Sequence, residues 1–184
     1  LALQRGVIVH RLLQSLPNVS AETRRTRAEA YLTRSATEFA PDERDKILQQ
    51  VLGLISDPIF AALFGPGSRG EVPIVGRLIC RSGELAITGQ VDRLIVSGNE
   101  VLIADFKTNR PPPSVPDEVA PGYIAQLAAY RSALRLMFPE RALRAAIIWT
   151  DGPKLMEIPS TLLDLAERRM LQEGPSLDVA GART

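Results

Sequence analysis

The feature that most constrains this chain is a two-residue turn, Gly98-Asn99, set between two stretches in which apolar residues alternate. A turn of this length and composition joins antiparallel strands and fixes which residues face each other across the hairpin. Counting away from the turn places Asp92 opposite Asp105. Side chains at such facing positions have Cβ atoms about 5 Å apart. The sequence therefore predicts a hairpin on which two carboxylates lie side by side.

Two facing carboxylates destabilise a hairpin unless a cation lies between them. A divalent cation with oxygen ligands fits that position. Because side chains alternate along a strand, Lys107 lies on the same face as Asp105, and the apolar run 101–104 before Asp105 favours a buried site. We therefore predict a metal site that contains Asp92, Asp105 and the ammonium group of Lys107. The alternative is that Asp92 and Lys107 are exposed strand residues that line up by chance.

Hydrophobic periodicity changes from helical to strand-like after residue 65. The first part contains four predicted helices: one that ends at Pro17, one from Ser20 to about Phe39, one from Asp42 to about Ile55, and a short one that ends at Phe64. The second part contains predicted strands at 71–81, 84–96 and 100–107, a proline-rich loop at 111–121, a helix at 122–137, strands at 143–150 and 154–158, and a helix from Ser160 to about Glu173. This order is typical of a mixed α/β, or α+β, domain.

The length of 184 residues fits one structural domain. Within it we expect residues 1–64 to form a helical segment packed on a core of residues 65–174, with a frayed tail at 175–184. The first helix starts at the first residue without a capping residue, which indicates a fragment of a longer polypeptide.

Composition narrows the function classes. Cys80 is the only cysteine, which excludes an intrachain disulfide and any four-cysteine zinc or iron–sulfur site within this chain. The apolar runs are too short to span a bilayer and there is no secretory leader, so we expect a cytoplasmic protein with no membrane partner. The net charge of +1 excludes strong general attraction to polyanions.

Three short patterns together resemble a known family. They are Gly89-x-x-Asp92, Asp105-x-Lys107, and Tyr123-x-x-Gln126-x-x-x-Tyr130, in the context of strand, turn, strand, loop and helix. This arrangement resembles the RecB-type nucleases of the PD-(D/E)XK superfamily, except that Val91 stands where the superfamily's name has proline. The resemblance implies a restriction-endonuclease-like core, with a central mixed sheet flanked by helices, and a DNA nuclease that uses Mg²⁺ or Mn²⁺ and no iron–sulfur cluster.

The resemblance also implies roles for individual residues. The metal ligands it implies are His10, Asp92, Asp105 and the backbone carbonyl of Phe106. The catalytic set it implies is Lys107, Asp105, Asp92, Gln126 and Glu71, and the DNA contacts are Tyr123 and Gln126. Arg93 and Arg110 are further candidates for phosphate contacts, although a solvated hairpin surface explains them equally well. His10 is otherwise a core or edge residue, Glu71 a charge at a strand end, and Tyr130 a core residue.

Within the superfamily, residues 103–110 and 149–153 are similar to the C-terminal nuclease domains of AddA-type helicase–nuclease subunits. This similarity implies an exonuclease domain for double-strand-break repair, an upstream helicase domain on the same polypeptide, an AddB-like partner subunit, and a single-stranded DNA end fed to the site. The 184 residues contain no phosphate-binding Gly-x-x-x-x-Gly-Lys-Ser/Thr loop, so ATP would bind only in the upstream part.

Three functions from different classes therefore stay open. The first is a metal-dependent DNA nuclease, and the second is an inactive nuclease-fold module for DNA channelling or subunit assembly. The third is a hydrolase of another phosphate ester. Metal titration separates the first two, and competition between substrates separates the first from the third.

Overall fold

The computed structural model describes residues 2–173, and its five strands form one mixed sheet in sequence order. The strands are β1 (Ser68–Cys80), β2 (Gly83–Ser97), β3 (Glu100–Lys107), β4 (Ala142–Trp149) and β5 (Lys154–Glu157). The helices are α1 (Ala2–Ser15), α2 (Ala21–Ser35), α3 (Pro41–Ser56), α4 (Ala61–Phe64), α5 (Pro121–Met137) and α6 (Ser160–Glu173). Neighbouring strands are antiparallel except β3 and β4, which are parallel and connected through α5.

Two apolar clusters cover the two faces of the sheet. One face is covered by α1 to α4, whose apolar side chains pack on Ile95, Ala104, Phe106 and Ile148. The other face is covered by α5 and α6, which pack on Val91, Val101, Ile103 and Ile147. The predicted fold class, a mixed sheet flanked by helices, is therefore confirmed.

The hairpin register agrees with the turn-based prediction. Gly98 adopts the left-handed conformation that such a turn requires, with φ of 51°. The β2–β3 ladder runs from the pair Ser97–Glu100 to the pair Arg93–Ala104. Beyond that pair the backbone pairing of β2 and β3 stops. The Asp92 side chain instead extends to β3 and accepts a hydrogen bond from the Phe106 amide.

The alternation of β2 is interrupted at Asp92. Residues 91 and 95 have the same parity and would share one face of a regular strand. Instead Val91 packs in the cluster under α5, and Ile95 packs in the cluster under α1 to α4. On the neighbouring strand, Glu71 has a φ of 55°, in the left-handed region. Both strands are therefore locally distorted at the level of Asp92, which a strict period of two does not predict.

Two helix ends differ from the sequence-based prediction. The second helix stops at Ser35 rather than Phe39, because Phe39 turns into the core under α1 to α4. The third helix begins at Pro41, so Asp42 lies in its first turn and is not its cap. The amide of Ala40 is satisfied instead by the Glu43 carboxylate, at 3.1 Å.

The predicted segment boundary between residues 64 and 65 coincides with the end of α4, but the division into segments 1–64 and 65–174 stays a prediction. The predicted tail at 175–184 lies outside the described residues. Within residues 2–173 no single helix is long and apolar enough to cross a membrane. The pair Pro41–Ser56 and Pro58–Phe64, bent by 62°, meets the criteria of length and composition only when taken together.

Gly89 is required where β2 passes under α5. A Cβ atom at this position would lie 2.2 Å from the Tyr130 hydroxyl, far inside van der Waals contact. The Tyr130 ring is packed in the core and cannot move away without disturbing its neighbours. The glycine of the Gly-x-x-Asp pattern therefore makes room for a side chain of α5.

Two glycine substitutions should change stability in opposite directions. Gly89→Ala should lower the free energy of unfolding by about 1–3 kcal/mol, because it forces Tyr130 out of its place. Gly53→Ala, on an exposed turn of α3 where a Cβ atom meets nothing within 4 Å, should raise it by about 1 kcal/mol. Urea denaturation of both variants measures the two changes. Equal effects of the two substitutions would contradict the packing of Tyr130 on Gly89.

Candidate metal centre

The candidate centre lies where the β2–β3 ladder opens, between α1 and α5. The approach of α1 depends on Gly6, since a Cβ atom there would lie only 3.0 Å from the Thr108 hydroxyl oxygen. One helical turn later, α1 carries His10 to the end of β3. On the other side of the sheet, α5 carries Tyr123 and Gln126 to the same end of β3.

His10 contacts two of the predicted ligands. Its Nε2 atom lies 2.8 Å from the Phe106 carbonyl oxygen, and its Nδ1 atom lies 3.6 Å from Asp92 Oδ1. The second carboxylate oxygen of Asp92 accepts the amide of Phe106 at 2.7 Å. The structure therefore brings the imidazole, the carbonyl and one carboxylate together, as the sequence predicts.

Asp92 is the most perturbed acid of the centre. Burial raises its pKa most, and the neighbouring Asp105 carboxylate raises it further, to about 7. His10, the Phe106 amide and Lys107 act in the opposite direction and do not compensate fully. A bound cation would remove this penalty, because opposite charge nearby favours the ionised form.

Lys107 and Asp105 form a buried ion pair. The Lys107 ammonium lies 2.7 Å from Asp105 Oδ2, and the two side chains are only 5% and 6% exposed. The same ammonium donates to Gln126 Oε1 at 3.4 Å and lies 4.3 Å from the centre of the Tyr123 ring. Four side chains from β3 and α5 thus converge on one point, and a cation–π contact adds to the ion pair.

Gln126 is itself held by Tyr130. Its amide nitrogen donates to the Tyr130 hydroxyl at 3.2 Å, and that hydroxyl also accepts the backbone amide of Gln90 at 3.3 Å. Tyr130 is 3% exposed, so it is a core residue as predicted, but its hydroxyl also connects Gln126 to β2. This second role was not predicted, because no local pattern shows that Tyr130 reaches β2.

Glu71 lies beside α1 at the level of Asp92. Its carboxylate accepts a hydrogen bond from Gln14, which follows His10 by one helical turn. Its backbone carbonyl accepts the Gln90 side chain at 3.2 Å. A left-handed backbone at a residue other than glycine is strained and is common near functional sites. Gln14 and Gln90 were not predicted, although Gln14 shares a helical face with His10.

The structure bears differently on the two arginines that were predicted to contact DNA. Arg93 is only 3% exposed; its guanidinium donates to the Leu13 carbonyl and lies over the Phe64 ring. This burial contradicts the predicted DNA contact of Arg93, because the group supports α1 and α4 instead. Arg110 is exposed and pairs with Asp151 at 2.8 Å, so its contact with DNA stays a prediction.

The donor chemistry of the centre fits a divalent cation. Carboxylates and a carbonyl suit both Mg²⁺ and Mn²⁺. The 2.8 Å contact between His10 Nε2 and the Phe106 oxygen brings two of these donor groups to the same point. Within residues 2–173, however, no three His, Cys, Asp or Glu side chains already form a metal-binding group. Asp105 is turned toward Lys107 instead.

Comparison with protein families identifies the superfamily to which this chain belongs. The model of the PD-(D/E)XK nuclease superfamily matches residues 1–174. Among curated proteins no match was found. A solved structure titled "Crystal structure of SSO0001" is 21% identical with a TM-score of 0.40, and the alignment covers 92% of this chain and 86% of that one. This last similarity is too weak to add to the superfamily match.

Asp92 should make metal-free stability depend on pH. The unfolded chain releases the Asp92 proton near the ordinary pKa of 3.8, whereas the folded chain holds it to about 7. The free energy of unfolding should therefore fall as pH rises from about 4 to 7, and Asp92→Asn should remove that part of the slope. Urea denaturation in EDTA across this range measures both proteins. Parallel pH profiles would contradict the raised pKa.

Asp105→Asn and Asp92→Asn should have different effects on the free energy of unfolding. Asp105→Asn leaves the buried Lys107 ammonium without its carboxylate, so we expect a loss of about 3 kcal/mol in metal-free stability at pH 8. Asp92→Asn at the same pH should be neutral or stabilising, because it removes one of two repelling charges. The pair of chemically identical substitutions is compared by urea denaturation. Equal losses would show that the ion pair does not dominate the centre.

Proposed function

Because the chain belongs to the PD-(D/E)XK nuclease superfamily, we propose that it is a metal-dependent deoxyribonuclease that hydrolyses phosphodiester bonds at the centre formed by His10, Asp92, Asp105 and Lys107. The observation that carries the proposal is the arrangement of two carboxylates at the open end of a ladder: Asp92, mostly buried and with a raised pKa, and Asp105, buried and paired with a lysine.

This arrangement of charges does not favour folding of the metal-free protein. Two facing carboxylates repel each other, and a buried ion pair seldom contributes net stability compared with an apolar pair. A cation and a phosphate would offset both costs. The polar groups are also supported from behind, since Gln126 and Tyr130 restrict the position of Lys107. Such support is typical of a site that needs fixed geometry.

His10, Asp92, Asp105 and the Phe106 carbonyl are the groups that would hold the cation. When bound, the cation would supply charge that polarises a phosphate and lowers the pKa of water. Lys107 lies beside Asp105, where its ammonium can orient an attacking water and stabilise negative charge on the phosphate. Tyr123 is half-buried and lies against that ammonium, and its proposed role is to contact the DNA strand.

The finer parts of the proposal rest on the similarity of residues 103–110 and 149–153 to AddA-type nuclease domains. We propose an exonuclease role in double-strand-break repair, with a single-stranded DNA end delivered by a helicase domain on the same polypeptide and an AddB-like partner, in the cytoplasm. The net charge of +1 is consistent with this, because a domain that receives DNA from a motor needs little affinity of its own.

Cleavage of a single-stranded oligonucleotide in Mn²⁺ tests the proposal. We expect wild type to cleave, and Lys107→Met and Asp105→Asn to lose at least 100-fold in rate. Lys46→Met is the matched control, because Lys46 is an exposed lysine paired with Asp42 and should keep full activity. Competition by a non-nucleotide phosphodiester separates a nuclease from a general phosphate-ester hydrolase.

The metal dependence of thermal unfolding provides a second readout. Mn²⁺ should raise the melting temperature of wild type and Lys46→Met, and should have little effect on Asp105→Asn. No cleavage together with no metal response would overturn the proposal in favour of an inactive nuclease-fold module.

A further inference from the structure

Beside the metal centre, two arginines from different elements are linked to neighbouring residues, Arg5 through Gln50 to Thr150 and Arg110 directly to Asp151. Arg5 belongs to α1, one residue before the Gly6 contact, and its guanidinium donates to Gln50 of α3. The Gln50 side chain in turn donates to the Thr150 carbonyl, next to Asp151. Arg110 follows β3 and pairs with Asp151 at 2.8 Å.

The two guanidinium groups are close enough to affect each other. The pKa of Arg5 is lowered, first by partial burial and then by the positive charge of Arg110, while Asp151 and Glu43 oppose the shift. The two guanidinium groups therefore repel each other despite the carboxylates nearby. A second anion at this place would relieve the repulsion.

The backbone keeps both arginines near the metal centre. Arg110 lies three residues beyond Lys107, and Arg5 lies five residues before His10 on the same helix. At a rise of 1.5 Å per residue, this is about 7.5 Å along α1.

We propose that Arg5 and Arg110 form a second phosphate-binding site, which holds a phosphate of single-stranded DNA next to the one being cut. This inference rests on the proposed nuclease function and goes beyond it in assigning Arg5 and Asp151. In the DNA-free protein the Asp151 carboxylate pairs with the Arg110 guanidinium, and the incoming phosphate displaces that carboxylate. A guanidinium suits this role because its donors match a phosphate in pairs.

The exchange of Asp151 for a phosphate has a distinctive consequence. Removal of a residue that only supports the fold would weaken DNA binding or leave it unchanged. Removal of a competing carboxylate should instead strengthen it. Asp151→Asn is therefore the variant that separates a ligand site from a structural ion pair.

The experiment measures binding of a labelled 12-nucleotide single strand by fluorescence anisotropy, in EDTA, at several salt concentrations. Arg5→Ala and Arg110→Ala should each weaken binding about fivefold at low salt. Each should also reduce the slope of log affinity against log salt by about 0.7, as expected for one lost phosphate contact. Asp151→Asn should bind more tightly than wild type.

Two further variants serve as controls. Arg77→Ala removes another exposed arginine of an Arg–acid pair, with Glu84 on the distant β1–β2 hairpin, and should leave affinity and slope unchanged. Arg5→Lys keeps the charge at α1 and should retain the salt slope, which guards against loss of α1 packing as the cause.

Some results would overturn the second phosphate site alone, and others would overturn the nuclease function as well. If Arg5→Ala and Arg110→Ala bind as Arg77→Ala does, or if Asp151→Asn binds no better than wild type, the second site is wrong. Cleavage by wild type in Mn²⁺ would then leave the nuclease function standing. If wild type neither binds nor cleaves the strand, both proposals fail together.

Discussion

The ion pair between Lys107 and Asp105 is the interaction on which the rest of the centre depends. Each charged side chain is only 5–6% exposed, and an unpaired charge buried to that degree would destabilise the fold. The end of β3 must therefore lie where partner groups surround both charges. The compensation comes from α5, which places the Gln126 side chain and the Tyr123 ring against the ammonium. Since α5 also connects the parallel strands β3 and β4, the same helix that completes the sheet positions the lysine.

A second constraint acts through close packing rather than charge. Gly6 lets α1 approach the end of β3, and Gly89 lets Tyr130 reach β2. Each contact carries a functional group with it: α1 brings His10 to the Phe106 carbonyl, and Tyr130 holds Gln126. The geometry of the polar centre is therefore set by where two helices can approach the sheet, and the glycines set that distance.

Most of the architecture could be predicted from local patterns. The turn Gly98-Asn99 determined the hairpin register, and apolar periodicity located the strands and helices to within a few residues. The errors fell at Phe39 and Asp42, where a core contact and a backbone cap outweighed local preference. The burial of Arg93 also escaped prediction, because the strand pattern does not show that helices cover both faces of the sheet.

Local sequence was enough to place Asp92 and Asp105 on one hairpin and Lys107 on the face of Asp105, because turn length and strand period are local properties. Long-range packing set which carboxylate pairs with the lysine and which retains its proton to about pH 7. Packing also linked Arg5 through Gln50 to Thr150, next to the Asp151 that pairs with Arg110. These outcomes depend on burial and on contacts between elements distant in sequence, and no local pattern encodes either.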